Sequence, residues 1–466
     1  MTSFAYKNFE TISPLERIQK LMCLSNYLSQ HPIQKEKLGY RVQYLTAMEV
    51  LRRQYAADDI FAAAFMRQYK KALLNNPETP LTVPDDKELG PLFHEVMGLR
   101  FKWFALYSHD FVFMMDALFL LSFDDAIRAH AIFEGLKAFV PRSKLERMDE
   151  LFASLYHDSP APSHIGGAEY LIPIWRRNRI FFNKVPKTVL ITATMSSGKS
   201  TVVNAIVGKQ VSRTQSEACT AKLHYIINKG TEDGASSEYD HELILDADLE
   251  TLMDDNTENT SEVISVGTFF RASDGLPHRI QLIDTPGVGS AWHKEHQDIA
   301  EEAIKKTHYD DVVCVVDGNN LGTGFTMSHL SFLKKNQGGH HIIFLINKTD
   351  NFRKAEDSIE ESMIKVIQDL KKAGFKNYDV YPISARAGYL AKRALYGEEL
   401  SPDDIEDLSA AVRKYRNDFY DCSKFYPPMD SDMIYNYTCH MTPEQKKNFN
   451  VIIKSGLFGL ESVLFN

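Results

Sequence analysis

Two hydrophobic rhythms divide the chain. Up to about residue 180 apolar positions recur every three or four residues, as on one face of a helix; from about 186 they come in short β-branched runs separated by helical stretches. In the first part, Ser13-Pro14-Leu15-Glu16 reads as a helix start. Ser13 can cap, Pro14 suits the first helical position and Glu16 can reach back. Leu15, Ile18 and Met22, with Leu21, Leu24 and Leu28, then follow at helical spacing. Periodicity predicts further helices over 34–56, 58–75, 90–107, 109–122, 124–139 and 142–157, with Pro77, Pro80, Pro84 and Asp85-Asp86 marking a loop. This part shows no internal repeat and no catalytic constellation.

The later runs Thr188–Ala193, Leu223–Asn228, Arg279–Asp284, Val312–Asp317, His341–Asn347 and Tyr378–Ser384 read as strands alternating with helices. That alternation predicts an α/β domain with a doubly wound, mostly parallel sheet over 181–466, preceded by an all-α domain over 1–180. Ligands of such sheets lie beyond the carboxyl ends of the strands, so chemistry is expected there.

Four motifs fall at those ends. Ala193-Thr194-Met195-Ser196-Ser197-Gly198-Lys199-Ser200 follows the first strand and opens a helix at Thr201. Backbone N–H groups of such a loop cradle phosphates, Lys199 would face the β- and γ-phosphates and Ser200 would ligate Mg²⁺. Asp284-Thr285-Pro286-Gly287 follows the third strand, where the Asp can hold Mg²⁺ through water and the Gly287 amide can sense the γ-phosphate. Asn347-Lys348-Thr349-Asp350 follows the fifth, and a carboxylate there accepts both N1–H and the exocyclic amine of guanine. Adenine would leave that carboxylate unpaired, at a cost of about 1–3 kcal/mol. Ser384-Ala385-Arg386 matches the loop whose backbone amide reads guanine O6. Asp284–Gly287 alone is a common turn; the order and shared placement of the four motifs carry the assignment to GTP.

On these residues the stretch from about 186 to 464 resembles the GTPase domain of the dynamin superfamily, and within it the bacterial dynamin-like proteins. The SSGKS form of the phosphate loop, Asp284–Ser290, Met327–Leu333, Ser384–Lys392 and the late Ser455–Glu461 carry the likeness. The resemblance implies that Thr220, in Glu217–Ala221, is the switch threonine that ligates Mg²⁺ and holds the attacking water. It also implies GTPase domains that pair with one another. It admits a second dynamin-like chain or a peripheral membrane surface as partner. Departures are Ala193 where the family has Gly, and Met195 where eukaryotic members place a catalytic Gln. Help in hydrolysis would then come from Ser196, the backbone or a partner. Val288 holds the position where small signalling GTPases carry a water-orienting Gln, and Arg213 lies in the expected first switch. Family members continue into stalk helices beyond the point where this sequence stops; the helices of 1–180, a partner chain or a shortened protein would account for that. The expected function is GTP hydrolysis activated by nucleotide-dependent dimerisation, acting in membrane remodelling. The alternatives are a regulatory switch or slow GTP-binding scaffold acting on a protein partner.

Composition narrows the setting. Hydrophobic residues at 44% and charged residues at 25% suit a globular protein. Five cysteines without a CxxC pair point to a reducing compartment, and the N-terminus lacks a secretory pattern, so a cytoplasmic location, peripheral at a membrane if anywhere, is expected. No run reaches the ~18–20 apolar residues of a spanning helix; the nearest, Trp103–Phe123, is broken by His109, Asp110 and Asp116. The net charge of −9 is uneven: residues 231–262 hold 12 acidic side chains and no Lys or Arg, which reads as a solvated acidic insertion over 230–275. With no basic footprint, nucleic acid is not an expected partner. His293 and His296, one helical turn apart, read as switch-region surface, His340-His341 as structural, and Cys219 as a thiol without a basic neighbour. The aromatic stretch Tyr415–Tyr437 reads as a packed insertion or a partner surface.

Overall fold

The computed structural model describes residues 21–465 except 103–104, 124, 158, 194–195, 213–222, 240–241, 248–262, 274, 287–293, 321–323 and 430. The expected helix start at Ser13 and the residues Thr194, Met195, Arg213, Cys219, Thr220, Gly287, Val288 and His293 therefore lie outside the described residues. Two compact units are present, Met1–Lys184 and Val185–Asn466.

The first unit contains α1 (Leu24–Leu28), α2 (Leu38–Tyr55), α3 (Ile60–Leu74), α4 (Asp86–Met97), β1 (Arg100–Lys102), β2 (Ala105–Tyr107), α5 (Asp110–Ser122), α6 (Ala126–Lys137), α7 (Leu145–Tyr156) and α8 (Leu171–Phe182). All thirteen residues of α5 are buried. A helix apolar all round has no solvent face, so it becomes the hub against which α2, α3, α4 and α6 pack. Asp125 caps α6 by accepting from the Ile127 and Arg128 N–H groups. Helix α8, not foreseen from periodicity, packs Trp175 against Phe119, Phe123 and Tyr156.

One expectation is corrected here. The helix predicted over 90–107 ends at Met97, and the unit is not purely helical. At Gly98 a Cβ would stand 2.4 Å from the His94 carbonyl oxygen, a close approach open only to glycine. The alternating Leu99-Arg100-Phe101-Lys102 then forms a hairpin, with Phe101 paired to Leu106 and Arg100 to Tyr107. Period two had been hidden inside an apolar-rich stretch.

The second unit contains β3 (Lys187–Ala193), α9 (Lys199–Val207), β4 (Leu223–Asn228), β5 (Ala235–Tyr239), β6 (Glu242–Ala247), β7 (Val263–Thr268), β8 (Ile280–Asp284), α10 (Lys294–Lys306), β9 (Asp311–Asp317), α11 (Gly324–Asn336), β10 (His341–Asn347), α12 (Ile359–Lys372), β11 (Tyr378–Pro382), α13 (Ala385–Leu395), α14 (Pro402–Lys414), α15 (Ser431–Thr438), α16 (Pro443–Lys454) and α17 (Leu457–Phe465). The sheet runs β11-β10-β9-β3-β8-β4-β7-β5-β6. Its first five strands are parallel, as the near-continuous apolar runs predict. β4 reverses direction against β8, and β5 and β6 continue antiparallel. The acidic stretch thus contributes strands at one sheet edge, β6 around the short apolar run Leu243-Ile244-Leu245.

Side chains alternate between two cores. Val189, Ile191, Val313, Val315 and Leu345 face α9, α13, α16 and α17. Leu190, Val312, Cys314, Ile342 and Phe344 face α10, α11 and α12. This sandwich fixes the register that brings Ala193 beside Val315, Ile191 beside Asp284 and Asn347 beside Asp317. The loops that follow β3, β8, β9 and β10 therefore open at one edge of the sheet.

Candidate nucleotide site

The phosphate-type loop starts from Ala193, whose methyl is wholly buried in the core, so the missing glycine is accommodated by packing rather than left as a distortion. Ser196 has φ +63° and Gly198 φ +87°, left-handed conformations that turn the chain sharply into α9. A Cβ at Gly198 would lie 2.4 Å from Asn347 Nδ2. That amide is not free to retreat. It donates to the Ser197 carbonyl at 3.0 Å, while Asn347 Oδ1 accepts from the Ala385 N–H at 3.1 Å. One buried side chain thus ties the loop after β3 to the loop after β11.

Lys348 forms a second tie. Its backbone is also left-handed, φ +67°, and its Nζ donates to the Ser196 carbonyl at 2.7 Å and pairs with Asp317 Oδ2 at 2.9 Å. Left-handed conformations at non-glycine residues cost free energy and persist when surroundings over-determine them; here the two such residues of the site hold each other. Asp350 is half-buried, and Ser384 Oγ donates to its Oδ1 at 2.7 Å. The Lys414 ammonium donates to the Asp350 carbonyl. The Arg386 guanidinium pairs with Asp404 and Asp407 on α14, so its side chain is committed there. The Arg386 N–H lies in the first turn of α13, where helix geometry provides no intrahelical acceptor.

The Lys199 ammonium pairs with the fully buried Asp284 carboxylate. Asp284 Oδ2 also accepts from Ser212 Oγ at 3.1 Å. Ser200 and Thr201 follow Lys199 in the first turn of α9, both half-buried. A carboxylate with nearby hydroxyls is an all-oxygen donor set, the kind a hard cation such as Mg²⁺ takes. Among the described residues no group of three or more His, Cys, Asp or Glu could hold a metal, so the fit is to an ion completed by water and phosphate oxygens rather than caged by protein.

Beneath the loop, His329 of α11 lies 3.4 Å from Thr192 Oγ1, and burial pushes its pKa down to about 4, so it is neutral near pH 7. Asn204 on α9 bonds the backbone of Val211 and Ser212. Asn204, Ser212, Asp317 and Ser384 as a donor to Asp350 were not singled out from the sequence. A polar Asn at an apolar position of α9, and an Asp ending β9, were the signals available.

The Ser196–Gly198 loop entering a helix, an Asp at the end of the neighbouring strand and the Asn347–Asp350 loop two strands away have the layout of a P-loop GTPase fold. A model of the dynamin family matches residues 189–349. Over that stretch the chain is similar to the dynamin family. Among curated proteins it is similar to elongation factor 1-alpha of Pyrococcus furiosus (33% identical over 113 residues, 24% of each chain). It is also similar to the probable transmembrane GTPase FZO-like, chloroplastic, of Arabidopsis thaliana (24% identical over 249 residues, 53% of this chain and 24% of that protein). The chain thus spans about a quarter of the length of these relatives. Among solved structures, a chain of an oligomerised bacterial dynamin pair aligns with 99% of this chain and 74% of its own, at 11% identity and a TM-score of 0.36.

Proposed function

We propose that the chain binds GTP with Mg²⁺ and hydrolyses it to GDP and phosphate. The observation that carries this reading is the Asn347 bridge, which joins the phosphate loop to the Ser384-Ala385 loop and sets Asp350 beside both. In this reading Lys199 exchanges Asp284 for the β- and γ-phosphates, and the first turn of α9 adds its amides. Ser200, Thr220 and, through water, Asp284 would hold Mg²⁺, which would supply positive charge against the phosphates. Asp350 accepts from guanine N1–H and the exocyclic amine, and the Arg386 amide meets O6. Because Ala385 N–H is engaged by Asn347, the Arg386 amide is the better donor to the base. Water attacks the γ-phosphorus, the bond to the bridging oxygen breaks, and Lys199 stabilises the charge that develops there.

Neither Met195 nor Val288 can orient that water, so pre-organisation is assigned to pairing of two GTPase domains. Turnover per molecule should rise with protein concentration, and GDP with aluminium fluoride should convert monomer to dimer in light scattering. Flat specific activity from a persistent monomer would favour a stand-alone switch. Lys199→Ala should weaken GTP by about 3 kcal/mol; unchanged affinity and turnover would remove the phosphate-loop assignment.

Action at a membrane surface is supported by one feature of the first unit. Leu99, Phe101 and Leu106, at 63%, 69% and 69% exposure, share one face of the β1–β2 hairpin. Stacking of Arg100 on Tyr40 and the Tyr107–Glu36 hydrogen bond anchor its other face. Co-sedimentation with phosphatidylserine vesicles, lost in Phe101→Asp, is the expected result; no sedimentation of either form favours a protein partner.

A further inference from the structure

The sequence between α9 and β4 enters the expected first switch through Val211 and Ser212, and those two residues are held unusually firmly. Asn204, wholly buried on the phosphate-loop helix, accepts from both the Val211 and Ser212 N–H groups at 2.9 Å and donates to the Ser212 carbonyl at 2.8 Å. A single amide satisfies three backbone groups, so the Ser212 backbone cannot shift without leaving buried donors unpaired. Ser212 is itself 2% exposed, and its hydroxyl donates to Asp284 Oδ2 at 3.1 Å. Asp284 Oδ1 is held by Lys199. A continuous chain of bonds therefore runs from α9 through Asn204 and Ser212 to Asp284, and back to the first residue of α9.

We propose that Ser212 is a positioning residue for the Asp284 carboxylate, and that it couples the entry of the first switch to the metal site. This rests on the reading of Asp284 as the group that holds Mg²⁺ through water. A carboxylate at the end of β8 has a free χ2 torsion; two different donors, one on each oxygen, fix its plane. With Lys199 turned to phosphate, Ser212 would remain as the donor that keeps Oδ2 in place and would leave Oδ1 fixed in orientation for a hydrated cation. Asn204 contributes by holding Ser212 against the helix whose first turn bears the phosphates.

The test separates hydroxyl, packing and nucleotide contributions. For wild type, Ser212→Ala and Ser212→Thr, the dissociation of a fluorescent GDP analogue is followed while free Mg²⁺ is titrated, and again in EDTA. The expected result is that Ser212→Ala needs roughly tenfold more Mg²⁺ to slow dissociation, that Ser212→Thr restores the wild-type requirement, and that all three release nucleotide at the same rate in EDTA. Melting of the nucleotide-free proteins checks that the variants fold. A wild-type Mg²⁺ requirement in Ser212→Ala overturns the proposal. So does an equal shift in Ser212→Ala and Ser212→Thr, which would mark packing rather than the hydroxyl. If wild type binds no guanine nucleotide, or binds it without regard to Mg²⁺, it is the reading of the site itself that fails.

Discussion

Asp116 in the first unit and Asp284 in the second are both completely buried, and the two are treated in opposite ways. Asp116, in the middle of α5, accepts from the Tyr27 hydroxyl at 2.7 Å and the Tyr44 hydroxyl at 2.5 Å, and pairs with His31 at 3.1 Å, all four side chains being fully buried. Burial, with Asp116 adding to it, raises both tyrosine pKa values well above the ordinary range, so they stay protonated donors. Asp284 instead ends a strand, and its partners are Lys199 and Ser212 on the loop side of the sheet. Asp116 is closed in by donors from α1, the turn after it and α2. Of the two partners of Asp284, the Lys199 ammonium is one that a phosphate could draw away. Burial alone therefore does not separate the two carboxylates; the kind of partner each one has does.

The sharpest way to break this comparison is to remove each carboxylate in turn. Asp116→Ala leaves two hydroxyls and an imidazole unpaired in the core and should cost about 3–5 kcal/mol in chemical denaturation. It should leave the dissociation constant for GTP where it was. Asp284→Ala should lose the Mg²⁺-dependent part of GTP affinity at a smaller cost in stability. If Asp116→Ala weakened GTP as strongly as it destabilised the fold, its cluster could not be read as structural alone.

The same contrast explains what the sequence made legible. Lys199, Asp284, Asn347 and Asp350 stand at the ends of β-branched runs, where a local pattern predicts the place and the residue type predicts the chemistry. All six expected strands occur within two residues of their predicted bounds. Strands β5 to β7 were not foreseen: β5 is small and polar, and the short apolar runs Leu243–Leu245 and Val263–Ile264 were passed over inside a stretch read by its acidic charge. The hairpin at 100–107 was masked by an apolar surround that also fits a helix. Asp116 and its tyrosines, up to 89 residues away in sequence, meet only through tertiary packing. Ser212 is legible only once β8 stands beside the loop after α9. Thr220 and Gly287, named from motif and resemblance, lie outside the described residues, so their roles stay with the proposal above.

Two buried histidines sharpen the comparison further. His31 has a carboxylate partner, whereas His329 has only Thr192 Oγ1 at 3.4 Å and no partner for Nδ1 among the described residues. Burial holds His329 near 4, against about 6.5 for the unfolded chain. The unfolded state thus takes up a proton first as pH falls. Native stability from this residue is complete above about 6.5 and declines as pH drops toward about 4, by about 2 kcal/mol between roughly pH 7 and 5. His329→Gln should remove that slope from denaturation midpoints measured across this range. A slope equal to wild type would mean that another group controls acid sensitivity in this unit.

The smallest expected effect concerns a third carboxylate, intermediate between the two. Asp350 is half-buried, and Ser384 donates to Oδ1 much as the tyrosines donate to Asp116, but the carboxylate still has capacity to accept from a base. Asp350→Asn should reverse preference from GTP toward xanthosine triphosphate, because the amide donates to the 2-oxo group where the carboxylate accepted from an amine. Ser384→Ala keeps the carboxylate and removes only the group that orients it. Discrimination between GTP and ATP should then fall by about 1 kcal/mol, roughly fivefold, with the preference for guanine retained. Competition binding of GTP against ATP and xanthosine triphosphate reads both variants in one experiment. If Ser384→Ala matched Asp350→Asn in reversing the preference, the serine would be touching the base itself, and Asp350 would be its support rather than the reader. If neither variant changed selectivity, the loop after β10 would not be the base-reading element, and the GTP assignment would lose the residue that distinguishes it from ATP.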